Sequence, residues 1–270
     1  MTSSSLHAVH RGGRAASAGD LAPLAFAGYA HFTALQVRGG RARGLDLHLE
    51  RLRGASVHLF GRALPDERVR DALRAAVAAG PADVSLTATV FSAAGEFTAD
   101  GDGAEPELLV RTGPPFTGPA GPLRLMAVEH ERMLPGLKHV GEVAKTYFLR
   151  RAVAAGFDDA AFTDRRGRLS EATIWNLAFW DGSAVVWPEA ELLTGTTMGI
   201  VRRRLAALGV PQRVREVTVA DVPSLAGAVV MNSWTPGVPV HAIGPHSVPA
   251  APDFTALLRR AYEAEPLVAL

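Results

Sequence analysis

The sequence predicts an α+β chain of two domains. Three observations lead there: 270 residues are enough for two modest cores, alternating β-branched runs are interleaved with segments of helical period, and Gly113 to Pro122 is too rich in proline and glycine for either. That stretch separates a smaller first domain, residues 1–117, from a larger second domain, residues 123–270, with residues 118–122 as the linker.

The first ten or so residues are small and polar and are expected to be loose. Phe32 to Val37 predicts a strand, followed by a hairpin turn at Gly39-Gly40. Helices are expected from about His48 to Phe60 and from Asp66 to Ala79, the second ended by Gly80-Pro81. Val84 to Phe91 alternates and is rich in β-branched residues, which predicts a strand, and Leu108 to Arg111 predicts another. In the second domain Leu123 to Val128 predicts a strand and Glu142 to Ala155 an amphipathic helix stopped at Gly156. Strands follow near Ala160 to Thr163, Ile174 to Trp180 and Ala184 to Trp187, with Arg165-Arg166-Gly167 as a turn. A helix from Thr197 to Leu208 stops at Gly209, Val229 to Asn232 predicts a short strand, and Pro252 to Glu265 predicts a last helix.

Composition narrows the function classes. Basic and acidic residues nearly balance, 28 against 27, so neither nucleic acid nor an acidic membrane surface is an expected partner. No apolar run approaches the roughly 20 residues that span a bilayer, and Met1-Thr-Ser-Ser-Ser-Leu-His lacks the charged and apolar regions of a signal peptide. A cytoplasmic location is expected. With no cysteine there is no disulfide framework, thiolate nucleophile or zinc–thiolate site. The histidines are dispersed, with no His-x-x-x-His helix, so no metal site is expected, and there is no Gly-x-Ser-x-Gly elbow.

Lysine usage is the sharpest local signal. Of the 28 basic residues only Lys138 and Lys145 are lysines, and both lie in one segment. Arginine cannot lose its proton in a protein, whereas a desolvated lysine becomes a free amine that attacks carbonyls and forms a Schiff base. Lys138 falls between a predicted strand and a predicted helix, where loops position side chains for chemistry. Lys145 falls within the helix and is expected at the surface.

Several separated motifs then occur in a recognisable order: Phe32-Thr-Ala-Leu-Gln-Val37, His48-Leu-Glu-Arg51-Leu52, Gly136-Leu-Lys138-His139, Glu171-Ala-Thr-Ile-Trp-Asn176-Leu177, and Leu193-Thr-Gly195-Thr196-Thr197 leading into a helix. Together, from about Gly28 to Val240, they resemble the class IV aminotransferases, fold-type IV pyridoxal-phosphate enzymes, with motif spacing closest to aminodeoxychorismate lyase. The resemblance implies a small first α/β domain, a second domain built as a pseudo-barrel, pyridoxal 5′-phosphate as cofactor and a homodimer. It implies Lys138 as the Schiff-base lysine and Glu171 as the acid that pairs with the pyridine nitrogen. Arg51 would bind the cofactor's phosphate, joined by Thr196 and Thr197 at the helix start and by Ser233. Asn176 and Leu193 would complete the cofactor site, Leu193 packing on a face of the ring. A guanidinium offers the forked donors that phosphate takes, and a helix N-terminus supplies N–H groups and a positive dipole end.

The substrate half departs from the family pattern. Glu171 is followed by Ala172 rather than glycine, Val84 to Glu107 contains no arginine to hold an α-carboxylate, and Gly-x-Phe-Glu-Thr is replaced by Tyr29-Ala-His31-Phe32-Thr33. Tyr29, His31, Arg111 and Trp234 are the expected substrate contacts. The expected activity is transfer of an amino group from a small amine or amino acid to a keto acid, with lyase-type β-elimination of pyruvate from aminodeoxychorismate as the alternative. A non-catalytic or cofactor-free relative is the third possibility.

Overall fold

The computed structural model describes residues 7–26, 28–93 and 105–270. The chain divides into two units, one formed by Met1–Phe116, Leu137–Gly141 and Leu267–Leu270, the other by Thr117–Gly136 and Glu142–Pro266. The division near residue 116 falls inside the Pro/Gly-rich stretch. Residues 118–122 belong to the second unit, and the short segment carrying Lys138 belongs to the first rather than to the second. The reason is pairing: the Phe32 N–H donates to Lys138 O (2.8 Å) and the Val140 N–H to Ala30 O (2.9 Å), so this loop adds a short edge to the first unit's sheet.

In the first unit the elements are β1 (Ala8–Arg11), β2 (Arg14–Ala15), α1 (Ala18–Phe26), β3 (Ala30–Val37), β4 (Arg41–Arg43), α2 (Leu45–Phe60), α3 (Asp66–Ala78), β5 (Val84–Phe91) and β6 (Glu107–Gly113). Five strands form an antiparallel sheet in the order β2-β1-β6-β5-β3. β1 shows that residues 8–11 are ordered, not loose: Val9 packs toward Leu109 and Phe91, and Asp20 gathers Arg11 and Arg14 at 2.6 and 2.7 Å. Residues 1–6 lie outside the described residues. Alternation sets the two faces. Leu35, Val37, Leu86, Ala88 and Val110 pack against Leu45, Leu49 and Leu52 of α2 and Leu73 of α3, where each fully buried leucine contributes roughly 1.5–3 kcal/mol. Gly39 and Gly40 make the predicted turn at φ 56° and 69°, which only glycine adopts without strain.

Two histidines are enclosed on the α2 side. His31 Nε2 lies 2.8 Å from Ser56 Oγ, and His48 Nδ1 lies 2.7 Å from Thr33 Oγ1. Burial pushes His31 down to about 4; burial and then the Arg51 charge push His48 down to about 3. Both rings therefore stay neutral in the folded chain at pH values where the unfolded chain, titrating near 6.5, binds protons. Their contribution to stability is fully present above that value and is lost as pH falls toward the folded values. Urea unfolding should show a loss of about 2 kcal/mol per ring between pH 6.5 and 5. An unchanged midpoint would mean that the rings are already protonated in the fold.

The second unit contains β7 (Leu123–Glu129), α4 (Val143–Ala154), β8 (Asp159–Thr163), β9 (Leu169–Ala172), β10 (Asn176–Trp180), β11 (Val185–Pro188), α5 (Thr196–Ala207), β12 (Gln212–Arg215), β13 (Gly227–Asn232), β14 (Thr235–Ile243), β15 (His246–Ser247) and α6 (Pro252–Glu263). The final strand, β16 (Leu267–Ala269), pairs with β4 in the first unit. Strands β10-β13-β14-β7-β8-β9 follow one another, and β9 pairs back onto β10, so six strands close into a barrel. Its interior is apolar, including Leu125, Leu177, Phe179, Val230 and Val238. α5 and α6 cover one outer face through Met198, Val201, Leu205, Phe254 and Leu258.

The predicted strand from Ile174 begins instead at Asn176, because the side chains just before it are used otherwise. Asp159 accepts bonds from Thr173 Oγ1 (2.6 Å) and Trp175 Nε1 (2.8 Å), bending residues 173–175 into a tight connection and leaving Ile174 exposed. Among the described residues no helix is long and apolar enough to cross a membrane.

Candidate active site

In the second unit the predicted cofactor residues converge. β9 and β10 set Glu171 directly opposite Asn176, and β13 sets Met231 on the other side of Asn176. Asn176 Nδ2 donates to Leu193 O at 2.7 Å, which fixes the loop running into α5. That loop ends at Gly195, whose replacement by any larger residue would put a Cβ 1.9 Å from Asn176 Oδ1. Gly195 caps α5 without a side-chain bond, leaving the first-turn N–H groups of the helix for an outside acceptor. Beside them, Thr196 Oγ1 lies 2.9 Å from Ser233 Oγ, and Thr197 Oγ1 donates to Asn232 O at 2.9 Å. Ser233 is presented by the β13–β14 turn, where Asn232 Oδ1 accepts the N–H groups of Trp234 and Thr235 at 2.9 and 3.0 Å. Hydroxyls and helix N–H groups gathered at one point make an anion cup.

Glu171 is buried, at 4 % exposure. Arg132 Nε approaches its Oε1 to 3.3 Å and Glu142 Oε1 to 2.9 Å, while Arg132 Nη1 donates to Pro135 O at 3.0 Å. The sequence reading missed Arg132, Glu142 and Asp159. Arg132 is one arginine in an arginine-rich chain, and nothing but its nearness to Lys138 in sequence distinguishes it. The surface placement of Lys145 is corrected as well. It is half-buried, and burial lowers its pKa from the usual lysine range, against the pull of Glu171 and Glu142.

In the first unit Lys138 is half-buried, with Nζ 4.9 Å from the centroid of the Phe32 ring. Phe32 lies on the sheet face away from α2. Register puts Phe32 opposite Thr89, and Ala34, Thr87 and Arg111 in one row across the three strands. Arg111 thus shares the face of Phe32 and is exposed, two strands from β3, or about 10 Å at ordinary strand spacing. His31 does not share it. Being one residue from Phe32 it points the opposite way, fully buried against Ser56, and is not brought together with Phe32 or Arg111. Tyr29 is 54 % exposed, and its hydroxyl donates to Leu59 O at 2.9 Å. Arg51 lies half-buried on α2, whereas Arg53 pairs with Asp66 at 2.6 Å as an ordinary surface ion pair. Trp234 is half-buried in the second unit.

The family model of amino-transferase class IV matches residues 30–243. The chain belongs to the class IV aminotransferase family. Among solved structures it is similar to 4-amino-4-deoxychorismate lyase from Pseudomonas aeruginosa at 24 % identity, covering 96 % of this chain and 99 % of that one, with a TM-score of 0.78. A branched-chain aminotransferase from the archaeon Thermoproteus uzoniensis, solved with norvaline, shares 17 % identity over 95 % and 93 % of the two chains, with a TM-score of 0.80. A hypothetical aminotransferase from Mycobacterium tuberculosis in its PLP-bound form shares 21 % over 96 % and 98 %, with a TM-score of 0.77. These likenesses establish the fold-type IV architecture. No protein of curated function matches the chain in sequence.

Proposed function

We propose that this class IV family member is a pyridoxal-phosphate-dependent aminotransferase acting on a small amine or amino acid, with Lys138 as its reactive amine. The observation that carries the reading is the anion cup at the start of α5, in which Thr196, Ser233 and the open N–H groups suit a phosphate ester. When bound, the cofactor supplies an aldehyde that condenses with amines and a ring that takes up electrons from the substrate carbon. The chain's residues supply the rest. Arg51 would add a forked donor for the phosphate, and Asn176, which fixes the loop through Leu193 O, would with Leu193 border the cofactor. Glu171 keeps a proton on the ring nitrogen. Lys138 holds the cofactor through its amine and, once an incoming amine has displaced it, acts as the base that takes the proton from the substrate's α-carbon. Arg111, on the face shared with Phe32, serves a substrate carboxylate, and Tyr29 and Trp234 line the substrate side. Exposed Met133, Val143 and Tyr147, at 80, 84 and 56 %, support a homodimer.

A second reading, β-elimination of pyruvate from aminodeoxychorismate, is favoured by Gly136-Leu-Lys138-His139 and by the spacing from Phe32 to Arg51. Product analysis separates the two. Incubation with candidate amines plus 2-oxoglutarate or pyruvate should transfer the amino group to the keto acid. Release of 4-aminobenzoate and pyruvate from aminodeoxychorismate without an acceptor would establish the lyase instead. Arg111→Ala should raise KM for carboxylate-bearing substrates roughly tenfold to hundredfold, as for one lost charge-assisted contact, and leave a carboxylate-free amine unaffected. Equal effects on both would remove Arg111 from the substrate side.

A further inference from the structure

The second unit hands the chain to the first at Gly136 and takes it back at Glu142; the five residues between, Leu137–Gly141, include Lys138. Both ends of this excursion meet one side chain. Arg132 is 3 % exposed at its side chain, donates through Nη1 to Pro135 O at 3.0 Å, and through Nε reaches Glu142 Oε1 at 2.9 Å. The same Nε lies 3.3 Å from Glu171 Oε1. Within the closed segment Leu134 has φ 50°, a left-handed conformation that costs a branched residue roughly 1–2 kcal/mol and persists only when its surroundings impose it. Directly before Pro135, it stands where Arg132 ties down the next carbonyl.

We infer that Arg132 is a positioning residue that closes the base of the Lys138 loop and orients Glu171 through one shared guanidinium. The inference rests on the proposed roles of Lys138 and Glu171. Charge makes the sharing specific. Two carboxylates, Glu142 and Glu171, face one guanidinium, with half-buried Lys145 as the second positive charge nearby and Asp159 as a further acid. Glu142 takes up part of the Arg132 charge, so Glu171 is held without being fully neutralised and keeps its pull on a proton at the ring nitrogen. A lysine at 132 would keep the charge but lose the fork that reaches three oxygens at once.

The test uses Arg132→Gln, Arg132→Lys and Glu142→Gln, with two readouts. In the cofactor-free protein, hydrogen exchange of residues 133–142 should accelerate roughly tenfold to hundredfold in Arg132→Gln and in Arg132→Lys, the loss expected for a charge-assisted bond. In the loaded protein, the pH midpoint of the cofactor's visible band should move upward in Arg132→Gln, which removes a positive charge. It should move downward in Glu142→Gln, which removes a negative one, and stay near that of the parent in Arg132→Lys. A merely structural role would not give opposite displacements. Parent-like exchange in both Arg132 variants, or midpoints moving in the same direction, would overturn the inference. The exchange readout needs no cofactor, so it separates failure of the clasp from failure of the roles given to Lys138 and Glu171. If Arg132→Gln does not fold, Arg132→Lys and Glu142→Gln still decide the matter.

Discussion

Lys138→Ala should give a folded protein that holds no cofactor covalently and has lost at least roughly 10²- to 10⁴-fold of its turnover, the range that general-base catalysis alone supplies. The fold survives because Lys138 contributes to the first unit mainly through its backbone. Lys138 O accepts from the Phe32 N–H at 2.8 Å, a bond that alanine keeps. Its side chain brings Nζ to 4.9 Å from the centroid of the Phe32 ring. Such a contact contributes about 0.5–1 kcal/mol at an exposed site. Borohydride reduction followed by peptide mapping checks the assignment directly. The pyridoxyl label belongs on Lys138; its appearance on Lys145, the other half-buried lysine, would overturn the central assignment. Circular dichroism of the variant should match that of the parent.

Glu171→Gln should retain the cofactor and lose turnover by on the order of 10²-fold, the size seen when one preorganised electrostatic partner is removed. The substitution keeps the shape of a side chain that is only 4 % exposed and leaves an acceptor oxygen for Arg132. What it removes is the negative charge. An amide cannot hold a proton on the ring nitrogen, so the ring becomes a poorer electron acceptor. Direct cofactor titration combined with single-turnover kinetics separates binding from chemistry. Retained turnover would make Glu171 a purely structural partner of Arg132.

The long apolar alternations were readable because their period survives folding. Val84–Phe91 is the clearest case, with the same bounds in sequence and structure, and the α5 start at Thr196 lies one residue from its expected position. Elements with proline in their interior were hidden: α1 encloses Pro23, and β14 contains Pro236 and Pro239 yet pairs with both β13 and β7. Strands of two to four residues such as β2, β9 and β12 are too short to carry a period of their own. The residues proposed to hold the cofactor stood out because they sit in short local motifs. His31 faces α2 because one residue of register reverses a side chain's face, and that register is set by pairing with β5, which puts His31 opposite Val90, 59 positions away. Arg132 was invisible because its meaning lies in its partners, one of which, Glu171, sits on β9 far along the chain.

Both segments that the first unit takes from late in the chain bear on how this protein is made. Leu270 is buried in the first unit's core, and its carbonyl accepts from Arg74 Nη1 at 2.8 Å. As the polypeptide leaves the ribosome, residues 7–113 emerge with most of a sheet but without its added edge at 138–140 and without the Leu267–Leu270 segment that carries β16. The first unit synthesised is thus the last completed, and a fragment cut near residue 116 would expose an unpaired β3 edge, a template for aggregation. Separate expression of the two halves is therefore expected to fail.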